Sequence, residues 1–118
     1  MNMKAFSELV GLSPYTLRYY EKMGLLNKVQ RNTSGHRDYT NKDVDWINFV
    51  IRLKDTGMPL SNILDYAKLR ALGSCTVEER QDLLEQHKEN LKAHIELQLN
   101  HLKALEEKIF LYKQKKVS

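Results

Sequence analysis

One cysteine and two prolines are all that the 118 residues hold of those two types. A lone Cys75 leaves no intrachain disulfide and no multi-cysteine metal cage. It fits a reducing, cytoplasmic compartment. No run of 18 apolar residues occurs, so no helical membrane span is expected. The first residues lack the basic-then-apolar pattern of a secretory leader. Catalytic signatures are also missing: there is no G-x-S-x-G, no phosphate-cradling glycine loop and no H-E-x-x-H. Serine, histidine and aspartate all occur, but no spacing groups them. The sequence therefore predicts neither an enzyme nor a resident cofactor or metal.

What is present is an ordered composition. With 29% charged and 42% apolar residues, the chain is neither disordered nor collagen-like. The charge is uneven. Residues 1–74 carry 11 Lys/Arg against 7 Asp/Glu, a net of +4, whereas residues 75–118 carry 8 of each, a net of zero. A basic excess confined to one part hints at a polyanion partner.

Glycine divides the chain in the same way. Gly11, Gly24, Gly35, Gly57 and Gly73 punctuate the first part, and no glycine or proline follows Gly73. A head, 1–73, and a tail, 74–118, are the expected domains. In the head, Lys4 to Val10 reads as a short helix ending at Gly11. Ser13 and Pro14 open a second helix, because serine caps the free amides and proline has no N–H to leave unpaired. Leu17, Tyr20 and Met23 mark its inner face, and Gly24 ends it. Two short helices joined by Gly11-Leu12-Ser13 have the shape of a helix-turn-helix.

Between Leu25 and Tyr39 helical spacing fails. Lys28-Val29-Gln30 and Arg37-Asp38-Tyr39 flank a polar stretch, Asn32-Thr33-Ser34-Gly35, and predict a hairpin with a loop of about four residues. A third helix is expected from Lys42 to Thr56, with Thr40 and Asp43 as a capping box and Trp46, Ile47, Val50, Ile51 and Leu53 as its apolar side. Pro59 opens a fourth, carried by Leu60, Ile63, Leu64, Ala67 and Leu69. In the tail, Thr76 and Glu79 have the spacing of a second capping box. From Leu84 a stripe steps by four and three: Leu84, Lys88, Leu91, Ile95, Gln98, Leu102, Leu105, Ile109, Tyr112. This is a heptad seam on a helix of roughly 37 residues, about 55 Å long. The chain offers no second helix of that length, so the expected partner is the same helix of a second copy. Leu84, Leu91, Ile95, Leu102, Leu105 and Ile109 are the candidate dimerisation residues.

Other features are less specific. His87, His94 and His101 recur every seven residues, about 10.5 Å apart along a helix, too far for one metal within one chain. They read as polar positions beside the seam, or as a pH- or metal-responsive edge of it. Cys75, just before the tail helix, is either a sensor thiol or a small hinge residue. Arg18-Tyr19-Tyr20-Glu21-Lys22 lies on the second helix of the helix-turn-helix, the element that enters the major groove in such motifs. Arginine pairs with guanine, and tyrosine hydroxyls bind phosphate. Ser13 and Thr16 sit at the helix start, where amides and the helix dipole favour an anion. Arg31, His36, Arg37 and Tyr39 ring the hairpin. Of Tyr19 and Tyr20, one is expected in the core, since adjacent helical positions point about 100° apart.

The segment Ser13-Pro14-Tyr15-Thr16-Leu17-Arg18-Tyr19-Tyr20-Glu21-Lys22-Met23-Gly24-Leu25-Leu26 resembles the helix-turn-helix signature of the MerR family of bacterial transcription regulators. Ser34-Gly35-His36-Arg37-Asp38-Tyr39 is similar to its wing. Asp43-Val44 through Leu53, then Gly57-Met58-Pro59-Leu60 and Ile63, resemble its third helix and the start of its fourth. The resemblance covers residues 3 to about 70. It implies a mainly α fold: a winged helix-turn-helix head followed by a long antiparallel coiled-coil dimerisation helix. It implies a homodimer on double-stranded promoter DNA with a pseudo-palindromic site. The dimer would distort the spacer and so act on RNA polymerase indirectly. Ser13, Tyr15, Thr16, Arg18, Tyr19, Lys22, Arg31, His36, Arg37 and Tyr39 are the implied DNA-binding set. Arg18 and Tyr19 would lie at the groove and phosphates, and Arg37 and Tyr39 would be phosphate contacts of the wing.

The effector, an unknown small molecule, is less defined. Many relatives carry a ligand domain after the tail helix, and this chain ends about where the helix does. Metal-sensing relatives have a cysteine near the tail's start and more after it; Cys75 resembles only the first. The run from Leu69-Arg70 to Gly73, with Thr76, Arg80, Leu83-Leu84 and His87, looks like a branch containing aldehyde- and thiol-stress regulators. Its sensing cysteine in the third helix is replaced here near Arg52, leaving Cys75 as the possible sensor. Two other readings compete: a coiled-coil adaptor with a protein-binding head, and a small enzyme, for which only scattered polar residues speak.

Overall fold

The computed structural model describes residues 1–26 and 30–116. Five α-helices and one two-stranded hairpin occur among them: α1 (Met3–Val10), α2 (Pro14–Met23), β1 (Gln30–Arg31), β2 (Arg37–Asp38), α3 (Asn41–Asp55), α4 (Leu60–Leu72) and α5 (Val77–Lys113). Lys28 and Val29, expected to begin the hairpin, lie outside the described residues. By its contacts the chain divides into Met1–Leu83 and Leu84–Ser118.

Local signals place most of the helix ends. Asn2 Oδ1 accepts from the Ala5 amide at 2.9 Å and starts α1. Ser13 Oγ accepts from the Thr16 amide at 3.1 Å, and Pro14 occupies the first helical position of α2. Gly24 ends α2 at φ 92°, a conformation that side-chain-bearing residues rarely adopt, and lets Leu25 turn inward. Both halves of the Thr40–Asp43 capping box form at the start of α3.

α1 packs on α2 and α3, and α4 packs on α3. Phe6, Leu17, Leu25, Ile47, Val50 and Ile63 are fully buried at the centre. Two polar bonds add direction to this core. Trp46 Nε1 donates to the Leu25 carbonyl at 2.6 Å, and Lys54 Nζ donates to the Tyr20 hydroxyl at 2.8 Å. Both run from α3 to α2 or the turn just after it, so α2 is pinned by a helix that it does not neighbour in sequence. β1 and β2 pair antiparallel with Gln30 opposite Asp38 and Arg31 opposite Arg37.

The entry to α5 differs from the expected capping box. Thr76 ends a 3-10 turn, Ser74–Thr76, and is buried. Its hydroxyl points backward to the carbonyls of Leu69 and Gly73, at 2.6 and 2.8 Å, and Arg80 Nε lies 3.1 Å from it. Arg80 Nη2 also reaches the Gly73 carbonyl at 3.3 Å. The hydroxyl thus gives its proton to carbonyls at the end of α4 and accepts from the Arg80 side chain, not from an amide of α5. Thr76→Val should cost about 1–3 kcal/mol, because it takes the hydroxyl donor from the part-buried Leu69 carbonyl and the acceptor from Arg80 Nε, and Thr76→Ser should recover most of that. Urea unfolding monitored by circular dichroism reads both. A Thr76→Val midpoint equal to the parent's would show the clasp to be dispensable.

Candidate nucleic-acid interface

α2 has two faces. Leu17 and Tyr20 point into the core. Tyr15, Arg18, Tyr19 and Lys22, spaced i, i+3, i+4 and i+7, share the outward one. Tyr15 is 76% exposed and Tyr19 50% exposed. Of the adjacent tyrosines, Tyr20 is thus the core residue. At the start of the helix Ser13 Oγ also meets Thr16 Oγ1 at 3.0 Å, so the two hydroxyls are coupled there.

A cleft of about 640 Å³ opens beside this face. Lys4, Arg18, Arg31, His36 and Arg37 line it, with Asp38 as its acidic residue. Asp38 is already paired, its Oδ1 lying 2.8 Å from the Met1 nitrogen. The cleft is therefore positive in balance and suited to a polyanion. Lys4 was absent from the sequence expectation. Its signal is a basic residue in the first turn of α1, where the helix dipole gives it no help.

The hairpin is shaped by its own polar groups. Asn32 Oδ1 accepts from the amides of Ser34 and His36, at 2.9 and 3.1 Å. Arg31 Nη1 donates to the Gly35 carbonyl at 2.9 Å. Gly35 has φ 81°, which closes the loop between the strands. Arg37 Nε donates to Glu21 Oε2 at 2.7 Å, and both side chains are partly buried. This ion pair fastens the hairpin to α2 across 16 residues of sequence.

The helical pair, the outward aromatic and basic face, and the basic hairpin tied to it form one winged assembly. Residues 1–69 match the MerR HTH family of regulatory proteins, and residues 44–109 match the MerR DNA-binding family. The chain belongs to the MerR family. It is 40% identical over 110 residues to an uncharacterized HTH-type transcriptional regulator of Haemophilus influenzae, covering 93% of this chain and 82% of that one. It is 36% identical over 91 residues to the regulator AdhR of Bacillus subtilis, covering 77% of this chain and 65% of AdhR. Among solved structures it is similar to HiNmlR, a MerR family regulator lacking the sensor domain, bound to promoter DNA. That match has a TM-score of 0.86 at 38% identity and covers 98% of this chain and 91% of the other. MerR membership favours the DNA-binding reading over a coiled-coil adaptor.

One residue singled out by the MerR resemblance sits differently from expectation. Tyr39 is a core residue, 2% exposed, with its ring stacked on Phe6 at a centroid distance of 4.2 Å. Its hydroxyl is buried and has no hydrogen-bond partner among the described residues. The ring's apolar area is better buried against Phe6 than held out toward a phosphate, which removes Tyr39 from the exposed set. Burial, reinforced by Glu21 and Asp43 against Arg37 and Arg18, raises the phenol's pKa above 10.0. An acid whose folded pKa is raised contributes stability below its unfolded pKa and loses it as pH rises through the folded one. Tyr39→Phe should therefore leave stability at pH 7 equal or higher, since it deletes an unpaired hydroxyl, and should flatten the fall in stability above about pH 10. Thermal unfolding across pH 7–11 reads this; a destabilised Tyr39→Phe at pH 7 would mean that the hydroxyl has a partner.

Cys75 lies in the 3-10 turn and is exposed, its sulfur 3.7 Å from the Leu72 carbonyl. The buried residue of this turn is its neighbour Thr76.

In the tail of this MerR chain, α5 runs for 37 residues and has no buried residue. Ile95, Leu102, Leu105 and Ile109 are exposed apolar side chains, and Leu84 and Leu91 are half-buried. His94 lies 3.5 Å from Gln98 on the same helix. Among the described residues no three His, Cys, Asp or Glu side chains are grouped to hold a metal, and no helix is long and apolar enough to cross a membrane.

Proposed function

We propose that this MerR protein is a cytoplasmic transcription regulator that binds a pseudo-palindromic promoter as a homodimer and deforms the DNA between its half-sites. The observation that carries this is the outward face of α2, Tyr15, Arg18, Tyr19 and Lys22, set beside a cleft lined by Lys4, Arg31, His36 and Arg37. A helix lying in a major groove reads bases with such a face, and the flanking cations hold the phosphates. Ser13 and Thr16 supply hydroxyls at the helix start. The likeness to a relative bound to promoter DNA supports the same reading.

Two copies, joined along Leu84, Leu91, Ile95, Leu102, Leu105 and Ile109, present two such faces to one duplex. Holding both half-sites at a separation that straight DNA does not offer costs a few kcal/mol of bending and untwisting. Phosphate contacts from both heads offset that cost. RNA polymerase then meets a promoter of altered geometry, and a small effector shifts the balance between the two DNA shapes. Catalysis has no place in this scheme.

Selection of bound duplexes from a random pool tests it. The expected product is an inverted repeat with one fixed spacing, bound with steeply salt-dependent affinity. Recovery of unrelated sequences with no repeat would overturn the proposal.

A further inference from the structure

α3 and α4 wall a second open groove, of about 430 Å³, that shares no lining residue with the basic cleft. Its floor is aromatic. Trp46 and Tyr66 stack with centroids 5.9 Å apart and 13° between their planes. Phe49 tilts against both, at 6.4 and 5.8 Å. The bond from Trp46 Nε1 to the Leu25 carbonyl fixes the indole in place. Lys42, Asp45 and Arg70 complete the lining. None of these three forms an ion pair among the described residues.

Arg70 decides what the groove suits. Its guanidinium carbon lies 4.3 Å from the centre of the Trp46 ring. Held over the ring by cation–π attraction, the guanidinium has no side-chain hydrogen bond or ion pair among the described residues, so its N–H donors are unspent. A planar cation held this way at an aromatic wall is pre-organised for a carboxylate, which it can meet with two parallel bonds. Lys42 adds a second positive charge, against the single negative charge of Asp45. Phe49 and Tyr66 are only partly buried and offer apolar area for a ring. The volume is within the range of small-molecule sites.

We propose that this groove binds a small aromatic carboxylate, its carboxyl group on Arg70 with Lys42 beside it and its ring against Phe49 and Tyr66. The site is separate from the DNA face and stands or falls without it. A neutral aromatic lacks the ion pair. An aromatic cation meets two like charges. A second copy of the chain covering the groove would leave no room for either.

Trp46 is the sole tryptophan of the chain and lines this groove, so its emission responds to a ligand bound there. Benzoate, benzamide and benzylammonium are titrated into the full chain, with emission and titration calorimetry read in parallel and no DNA present. Benzoate should give a saturable change, and the other two should bind at least about tenfold more weakly, as expected for loss of a hydrogen bond to a charged group. Arg70→Gln should weaken benzoate by about tenfold or more at unchanged helix content. Lys42→Gln, at an exposed position in the first turn of α3, should weaken it by less, and it keeps the test open should Arg70→Gln fold poorly. Absence of saturable benzoate binding overturns the proposal. Equal binding of benzylammonium does so too, as does benzoate affinity that neither variant changes.

Discussion

Changing Leu102 and Leu105 together to glutamate is expected to give a monomer that no longer holds an inverted-repeat operator. Both side chains are more than half exposed in the single chain, at 51% and 62%, and both lie on the heptad stripe. Burying one leucine fully stabilises by about 1.5–3 kcal/mol, and a two-fold interface counts each substitution twice. The double variant thus forfeits four leucines' worth of burial and brings four carboxylates into the seam. The fold of the head should be untouched, because Leu102 and Leu105 are exposed and lie in Leu84–Ser118, whereas the core residues Phe6, Leu17, Ile47, Val50 and Ile63 lie in Met1–Leu83. Sedimentation equilibrium reads the mass, and an intact dimer at micromolar concentration would refute the role of the stripe. Loss of operator binding follows from valency. A dimer's second head engages at a high effective concentration once the first is bound, and a monomer has no second head.

The parts of this fold legible in the sequence are those whose physics is local. Ser13 and Pro14 start α2 and Gly24 ends it, because capping and left-handed turns depend on residues within a few positions. Thr40 and Asp43 are three apart and form their box as read. The 37-residue tail helix follows from a long stretch free of glycine and proline with one apolar stripe. Partners far apart in sequence were not legible. Glu21 and Arg37 are both solvent-compatible residues, and nothing in their local context says that they meet. Tyr39 stacks on Phe6 from 33 positions away. Its place in a wing motif suggested an outward role that its burial does not allow. Thr76 shows a local rule losing to a nearby arrangement: the spacing to Glu79 suits a cap, but the hydroxyl turns back to the Leu69 and Gly73 carbonyls and accepts from Arg80. The stacking of Arg70 on Trp46 joins two helices and had no sequence signal beyond the residue types themselves.

Arg18 and Arg37 should differ in kind when each is changed to alanine. Arg18 is exposed on the outward face of α2, in the row with Tyr15, Tyr19 and Lys22. From there its fork can reach the paired acceptors of a guanine, and loss of such a contact costs about 1–3 kcal/mol on the operator. The same change should cost little on random duplex, so discrimination narrows and the selected repeat loses its preference at one position in each half-site. Arg37 is part-buried, and its Nε is held by Glu21. Its charge belongs to the cleft wall, where phosphate contacts are blind to sequence. Arg37→Ala also frees the Glu21 carboxylate to face the DNA, which adds repulsion to the lost attraction. Operator and random duplex should therefore weaken together, and the slope of log affinity against log salt should fall by about one per site. Glu21→Gln separates the two components: it removes the repulsion, keeps the cation, and should bind both duplexes at least as well as the parent. Competition binding on operator and random duplexes at several salt concentrations measures all three variants. An Arg18→Ala loss of equal size on both duplexes would show that Arg18 holds phosphate rather than reading a base.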